Sequence, residues 1–128
     1  MIVGLGVDIC SVQRMAQVTE RHGQRFLDRV LSSREQAALS TQRVGPERVA
    51  ARFAAKEALM KALGTGRAAG VGFLDIHVLN HESGRPLIDL TGRAAEVAAA
   101  LGVQRVHVSM SHEREHAVAV VLLEGETP

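Results

Sequence analysis

Residues 46–64 read PERVAARFAAKEALMKALG, and this run decides the fold. Pro46 suits the first turn of a helix, where its missing N–H would have had no partner, and Gly64 suits the C-terminal cap. Between them apolar residues occupy most of the circumference, so the helix belongs at the centre of a domain. Its polar side chains fall into two groups. Glu57 and Lys61 are four apart and share a face, whereas Arg52 and Lys56 share another that points well over 90° away, at about 100° per residue. Polar groups on two sides of an apolar helix are awkward inside one chain. They become reasonable if one side faces a site and the other reaches a subunit boundary or a large ligand. The plainer reading of Glu57 and Lys61 is an i,i+4 pair worth a few tenths of a kcal/mol.

Outward from this helix the chain alternates between strand and helix signals. Ile2–Ile9 (IVGLGVDI) is a buried strand with Asp8 near its end; Gly4 and Gly6 weaken it locally, so close packing against a neighbour must compensate. Ser11 caps a helix running to about His22, where Gly23 interrupts it. Ser32 and Glu35 have capping-box spacing and open a short helix from Ser33 to about Thr41. After the loop 64–72, Phe73–Leu79 alternates as a strand, and His81–Pro86 turns into a second strand, Pro86–Leu90. Thr91 caps an Ala-rich helix reaching Leu101, and Gly102 ends it. Strands Val103–Ser111 and about His116–Leu123 close the pattern. With no repeat and no linker, residues 1–128 read as a single α+β domain: a long buried central helix packed on a mainly antiparallel sheet.

Composition narrows the function classes. The chain has 128 residues, 46% apolar and 23% charged, enough for a core without metal or disulfide staples. Fifteen Lys and Arg against fourteen Asp and Glu leave a net charge of +1, too little for a global field that attracts nucleic acid or an anionic membrane. There is no Trp or Tyr and only three Phe, so the core is aliphatic and single-strand binding by base stacking is nearly excluded. A lone cysteine, Cys10, permits no internal disulfide and fits a reducing compartment. Met1 leads directly into a strand and no apolar run is long enough to span a bilayer, so a cytoplasmic location is expected.

Several residues stand out chemically. Asp8 finishes an otherwise apolar strand. It either accepts hydrogen bonds from the first turn of the next helix or points out of the sheet end, where Glu57 could join it. Two carboxylates brought together repel, and Mg²⁺ relieves this, commonly held by one or two carboxylates with waters and substrate phosphates. His112-Glu-Arg-Glu-His116 matches the zinc-hydrolase letters H-E-x-x-H. That motif works only on a helix, and here it lies between two strand signals, in hairpin context. In the preceding strand His107, Ser109 and Ser111 share one face, suited either to gripping phosphate or to facing solvent. Arg14, Gln17 and Arg21 line the first helix beside Met15 and Val18, and Arg25 extends the stripe if the helix resumes past Gly23. Such a stripe is either a solvated face or a docking surface for an acidic partner. Gly64-Thr65-Gly66 follows a helix C-terminus and so is not a P-loop, although its backbone is open to a ligand.

Three segments together resemble the holo-[acyl-carrier-protein] synthases, the small stand-alone type of 4′-phosphopantetheinyl transferase. They are Gly6-Val-Asp-Ile9, the central Arg52-Phe-Ala-Ala-Lys-Glu-Ala-Leu-Met-Lys-Ala-Leu-Gly-Thr-Gly66, and Val106-His-Val-Ser-Met-Ser-His112. The resemblance covers essentially the whole chain. It implies transfer of 4′-phosphopantetheine from coenzyme A to a serine of apo acyl carrier protein, releasing adenosine 3′,5′-bisphosphate and serving fatty acid biosynthesis. It further implies Asp8 and Glu57 as ligands of Mg²⁺, with Lys61 against the phosphates as the third catalytic residue. Arg52, Lys61, Gly64, Thr65, His107, Ser109 and His112 match coenzyme A-binding positions. Arg14, Val18, Arg21 and Arg25 match the docking face for the acidic carrier protein. Such enzymes are typically trimers with sites between subunits, which suits the two-sided polarity of the central helix. His116 stands where an aromatic is common, and Leu59-Met60 replaces a frequent Phe-Ser pair. The alternative is a non-catalytic module that binds an acidic protein through the Arg14 helix.

Overall fold

In the computed structural model, which describes residues 1–39, 45–64 and 69–126, the element order is β1 (Ile2–Ser11), α1 (Val12–His22), α2 (Gln24–Val30), α3 (Ser33–Leu39) and α4 (Pro46–Leu63). A 3₁₀ turn (Phe73–Asp75), β2 (Ile76–Asn80), β3 (Pro86–Leu90), α5 (Gly92–Ala100), β4 (Val103–His112) and β5 (His116–Gly125) follow. The fold is α+β, with two antiparallel sheets ordered β1-β5-β4 and β2-β3. Helix α4 starts with Pro46 in its first turn and stops at Gly64, whose φ of 79° few residues but glycine adopt.

The position of α4 follows from two missing side chains. A Cβ on Gly6 would sit 1.9 Å from the Ala58 carbonyl oxygen, and one on Gly4 would sit 2.3 Å from that of Ala62. Strand and helix backbones therefore touch, running in opposite directions, and Asp8 and Cys10, on the same side of β1 as the glycines, face α4. Around this contact Ala54, Ala58 and Leu59 of α4 pack with Val121 and Leu123 of β5 and with Ile76 and Val78 of β2, an almost wholly aliphatic core. The opposite face of the sheet carries Leu5, Val7, Ile9 and Val120, which are 63%, 54%, 65% and 40% exposed. Among the described residues no helix is long and apolar enough to cross a membrane.

Four expectations change. Asp8 lies inside β1, which runs past Ile9 to Ser11, while the Ser11 hydroxyl caps α1 as its position in the sequence indicates, accepting from Arg14 N (3.2 Å). Phe73–Asp75 is a 3₁₀ turn and the strand begins only at Ile76. The reason is that Asp75 turns to the start of α5: its carboxylate accepts from Arg93 N (3.2 Å) and its carbonyl from Thr91 N (2.9 Å). Thr91 in turn makes no side-chain capping bond, because its hydroxyl pairs with His77 Nε2 (2.9 Å). The Arg52–Lys56 face is buried within the single chain, with Arg52 6% and Lys56 0% exposed. The ammonium of Lys56 donates to Glu35 Oε1 (2.5 Å), Val30 O (2.5 Å) and Phe73 O (2.9 Å), so a buried carboxylate takes the place of the expected boundary or ligand. Helix α3 ends at Leu39, and the expected extension to Thr41 falls outside the described residues.

Gly6→Ala forces β1 off α4 and should destabilise the fold by about 1–3 kcal/mol or more. Gly72→Ala, at a φ of −116° with nothing within 4 Å of the new Cβ, should stay within about 0.5 kcal/mol of the parent in the same denaturant titration.

Candidate active site

The backbone contact between β1 and α4 sets the first part of the site. Helical side chains lean toward the N-terminus, so Lys61 reaches back along α4 to the strand. Its ammonium donates to Asp8 Oδ1 (2.9 Å) and to Val7 O (3.1 Å). The Asp8 side chain is 17% exposed and that of Lys61 is 56% exposed, which places the pair at a rim. Lys61 is thus bonded to an acid 53 positions away in sequence.

Glu57 lies one helical turn before Lys61 on α4, and Cys10 lies two residues after Asp8 on the same side of β1. The hydrogen bond to Asp8, then the charge of Asp8 and the charge of Glu57, raise the Lys61 ammonium above its ordinary pKa. The Cys10 thiol is pushed up first by burial and then by Asp8 and Glu57, with Arg14 opposing. Both carboxylates therefore act on the same two groups. Two acids beside one cation offer hard oxygen ligands on a solvent-open rim, a donor set that suits Mg²⁺ completed by water and phosphate oxygens.

The other expected ligand residues are divided. His107 and Ser109 lie on the outer face of the sheet: the register Asp8↔Ala119↔Met110 puts Asp8 on the α4 side, and His107 and Ser109 alternate the other way. His107 Nε2 pairs with Glu124 Oε1 (3.0 Å) and borders a cleft of about 380 Å³ with His81, Ser83, Arg85 and Pro86. Arg52 donates to Asn80 Oδ1 (3.1 Å) at the end of β2 and to Arg48 O (3.4 Å), while its buried Nε has no partner among the described residues. His112 ends β4 in register with Ala117, which pairs with Cys10, so it shares the sheet face of Asp8 two strands away. Gly64 is exposed at the end of α4, and Thr65 lies outside the described residues. Asp8 thus meets Lys61, with Glu57 one helical turn before Lys61 on α4, and His107 and Ser109 cannot reach them within one chain.

The arginine stripe continues past the glycine. Arg14 and Arg21 are exposed on α1, Arg25 on α2, and Val18 is half-buried beside them. Arg14 and Val18 border a cavity of about 290 Å³ with Cys10, Met15, Phe26 and Phe53, which joins the stripe to the acidic corner. Sequence reasoning passed over Arg29, which shares a second recess with His22, Arg25 and Phe26, although its i,i+4 spacing from Arg25 on α2 was visible. Cys10, Phe26 and Phe53 were also passed over, since no pattern marks an apolar wall. The HEREH segment is the β4–β5 hairpin, as its context suggested. Glu113, Glu115 and His116 have ligand atoms within 4.8 Å of one another, but Glu113 Oε1 already accepts from the backbone N–H of Glu115 and His116 (both 3.1 Å). The two histidines do not share a helix face, so the zinc-hydrolase arrangement is not formed.

Residues 4–121 match the 4′-phosphopantetheinyl transferase superfamily. The chain is 45% identical over 124 residues to a holo-[acyl-carrier-protein] synthase of Photobacterium profundum, spanning 97% of this chain and 98% of that one. The crystal structure of the holo-[acyl-carrier-protein] synthase of Neisseria meningitidis superimposes with a TM-score of 0.89 at 34% identity, covering 97% of this chain and 99% of the other. A holo-(acyl-carrier-protein) synthase of Bacillus anthracis, solved in complex with CoA (3′,5′-ADP), superimposes with a TM-score of 0.80 at 38% identity, over 98% and 99% of the two chains.

Cys10 reports on the two acids. Asp8→Asn or Glu57→Gln removes a charge that holds the thiol protonated, so either change should speed alkylation by iodoacetamide at mildly alkaline pH severalfold. Unchanged rates in both variants would mean that the acids do not share this corner.

Proposed function

From the premise that the chain belongs to the 4′-phosphopantetheinyl transferase superfamily, among the holo-[acyl-carrier-protein] synthases, we propose a specific chemistry for its acidic corner. As a member of that family it transfers 4′-phosphopantetheine from coenzyme A to apo acyl carrier protein. The proposal is that Asp8 and Glu57 hold Mg²⁺ with the coenzyme A diphosphate, that adenosine 3′,5′-bisphosphate leaves, and that the holo carrier serves fatty acid synthesis. The single observation that carries it is the Lys61–Asp8 ion pair across the β1–α4 crossing, with Glu57 one helical turn from Lys61 on the same helix.

The carrier serine hydroxyl forms a bond to the phosphorus that bears the pantetheine arm, and the P–O bond to the adenosine-side phosphate breaks. Catalysis of such a displacement rests on alignment and charge neutralisation. Glu57 takes the serine proton, directly or through a water. Lys61, on an exposed stem, leaves Asp8 to meet the oxygen of the departing phosphate. Bound Mg²⁺ supplies Lewis-acid neutralisation of the diphosphate. Arg14, Arg21 and Arg25, with Val18 beside them, receive the acidic carrier so that its serine arrives next to Glu57.

A homotrimer completes the site in this reading. An apolar sheet face of Leu5, Val7, Ile9 and Val120 is the kind of contiguous patch that a stable monomer rarely leaves open. Joining copies through that face brings the His107 cleft of one subunit to the acids of its neighbour. That arrangement accounts for coenzyme A-binding positions lying on opposite faces of one sheet.

Incubation with apo carrier protein, coenzyme A and Mg²⁺ should add one phosphopantetheine to the carrier, read by mass spectrometry, and EDTA should stop it. Asp8→Ala and Glu57→Ala should lower kcat by about a hundredfold or more, the range for losing transition-state charge stabilisation. Arg14→Glu should raise KM for the carrier much more than KM for coenzyme A. Near-parent turnover in either acid variant would overturn the metal assignment.

A further inference from the structure

Helix α4 carries two lysines with opposite surroundings, and only Lys61 has a part in the chemistry above. Lys56 is wholly buried, and its three N–H donors are all used: Glu35 Oε1, Val30 O and Phe73 O. The carboxylate it meets is equally committed. Glu35 Oε1 also accepts from Ser32 N (2.9 Å), and Oε2 accepts from Val78 N (3.1 Å). One ion pair thus joins α4 to the end of α2, the start of α3, the 3₁₀ turn and β2. Ser32, which receives Glu35 N, continues the network through its hydroxyl to His77 Nδ1 (2.8 Å).

Helix α2 is the element that most needs such a tie. Its seven residues are too few to hold a helix alone, and no side chain caps its start. Gly23 precedes it at a φ of 56°, a pivot, and Val30 O is one of the last carbonyls that a helix leaves unpaired. The helix nevertheless carries Arg25 and Arg29 and the wall residue Phe26. Its orientation relative to Glu57, the neighbour of Lys56 on α4, decides where a docked carrier presents its serine. Apolar side chains could fill the same volume with equal or greater stability, so burying two charges is better explained by the fixed geometry they impose.

We propose that Lys56, with Glu35 as its counter-charge, is a positioning residue for the carrier protein: it locks the docking helix α2 to the catalytic helix α4. The proposal rests on the transferase reading and on the arginine stripe as the docking face. It assigns Lys56 no contact with coenzyme A or with the reacting atoms. Loss of the lock leaves chemistry on a bound carrier intact and loosens the presentation of α2.

The test uses the full-length protein carrying Lys56→Met with Glu35→Gln, which removes both charges and leaves no buried ion unpaired. Circular dichroism and thermal unfolding establish that the double variant is folded. KM for carrier should rise by about tenfold, with KM for coenzyme A and saturating kcat within about twofold of the parent. Calorimetric titration of apo carrier into the double variant should show the same weakening without turnover. Glu35→Gln alone, which leaves the buried Lys56 ammonium without its counter-charge, should unfold at a lower temperature than the double variant and, where folded, show the same split. Parent-like KM for carrier in a folded variant, or equal changes in both KM values, would overturn the proposal. An unmodified carrier with the parent enzyme would instead overturn the transferase reading, so the two failures are distinct.

Discussion

The structure depends on a backbone-to-backbone contact between β1 and α4. Gly4 and Gly6 leave the strand without side chains at the crossing, and Ala58 and Ala62 keep the facing helix surface small. Because the separation is set by main chain, the alternation of β1 then carries Asp8 and Cys10 to the same helix at fixed height. Lys61 and Glu57 sit one helical turn apart at that crossing. Bulkier residues at the crossing would move the acid on the strand away from the acid on the helix. The chemistry proposed here is thus a consequence of packing that involves no polar side chain.

The same helix uses charge in two unlike ways. On its exposed side the Lys61–Asp8 pair is half in solvent, gains little from Coulomb attraction, and can exchange partners when phosphates arrive. On its buried side the Lys56–Glu35 pair is dry and saturated with hydrogen bonds, and removing either partner leaves an uncompensated ion. Exposure at one cation and fixity at the other follow from burial. A transferase needs both: a group that shifts onto a leaving phosphate, and a frame that keeps a large protein substrate in register with it.

Much of the fold was legible because its punctuation is local. Pro46 and Gly64 mark α4, Gly23 divides α1 from α2, and Pro86–Leu90 matches β3 residue for residue. The capping box at Ser32 and Glu35 was read as a helix start and is one, but the spacing could not reveal that Glu35 also answers a lysine 21 positions away. The 3₁₀ turn at Phe73–Asp75 was masked by alternation, since the pull on it comes from the start of α5. In the site, the shared polar face of His107 and Ser109 was evident from period two. That it faces away from Asp8 depends on the strand order β1-β5-β4, which no single segment encodes. Arg52 and Lys56 stand out as polar groups on an apolar helix, but their spacing could not show that Lys56 meets the buried Glu35 within the same chain.

The most direct measurement is anomalous diffraction from crystals grown with coenzyme A and Mn²⁺ in place of Mg²⁺. The account predicts one strong peak within coordination distance of both the Asp8 and Glu57 carboxylates and of diphosphate oxygens, with the Lys61 ammonium no longer on Asp8. A peak confined to Glu113, Glu115 and His116 at the β4–β5 hairpin, or a diphosphate bound with no metal near either acid, would contradict it.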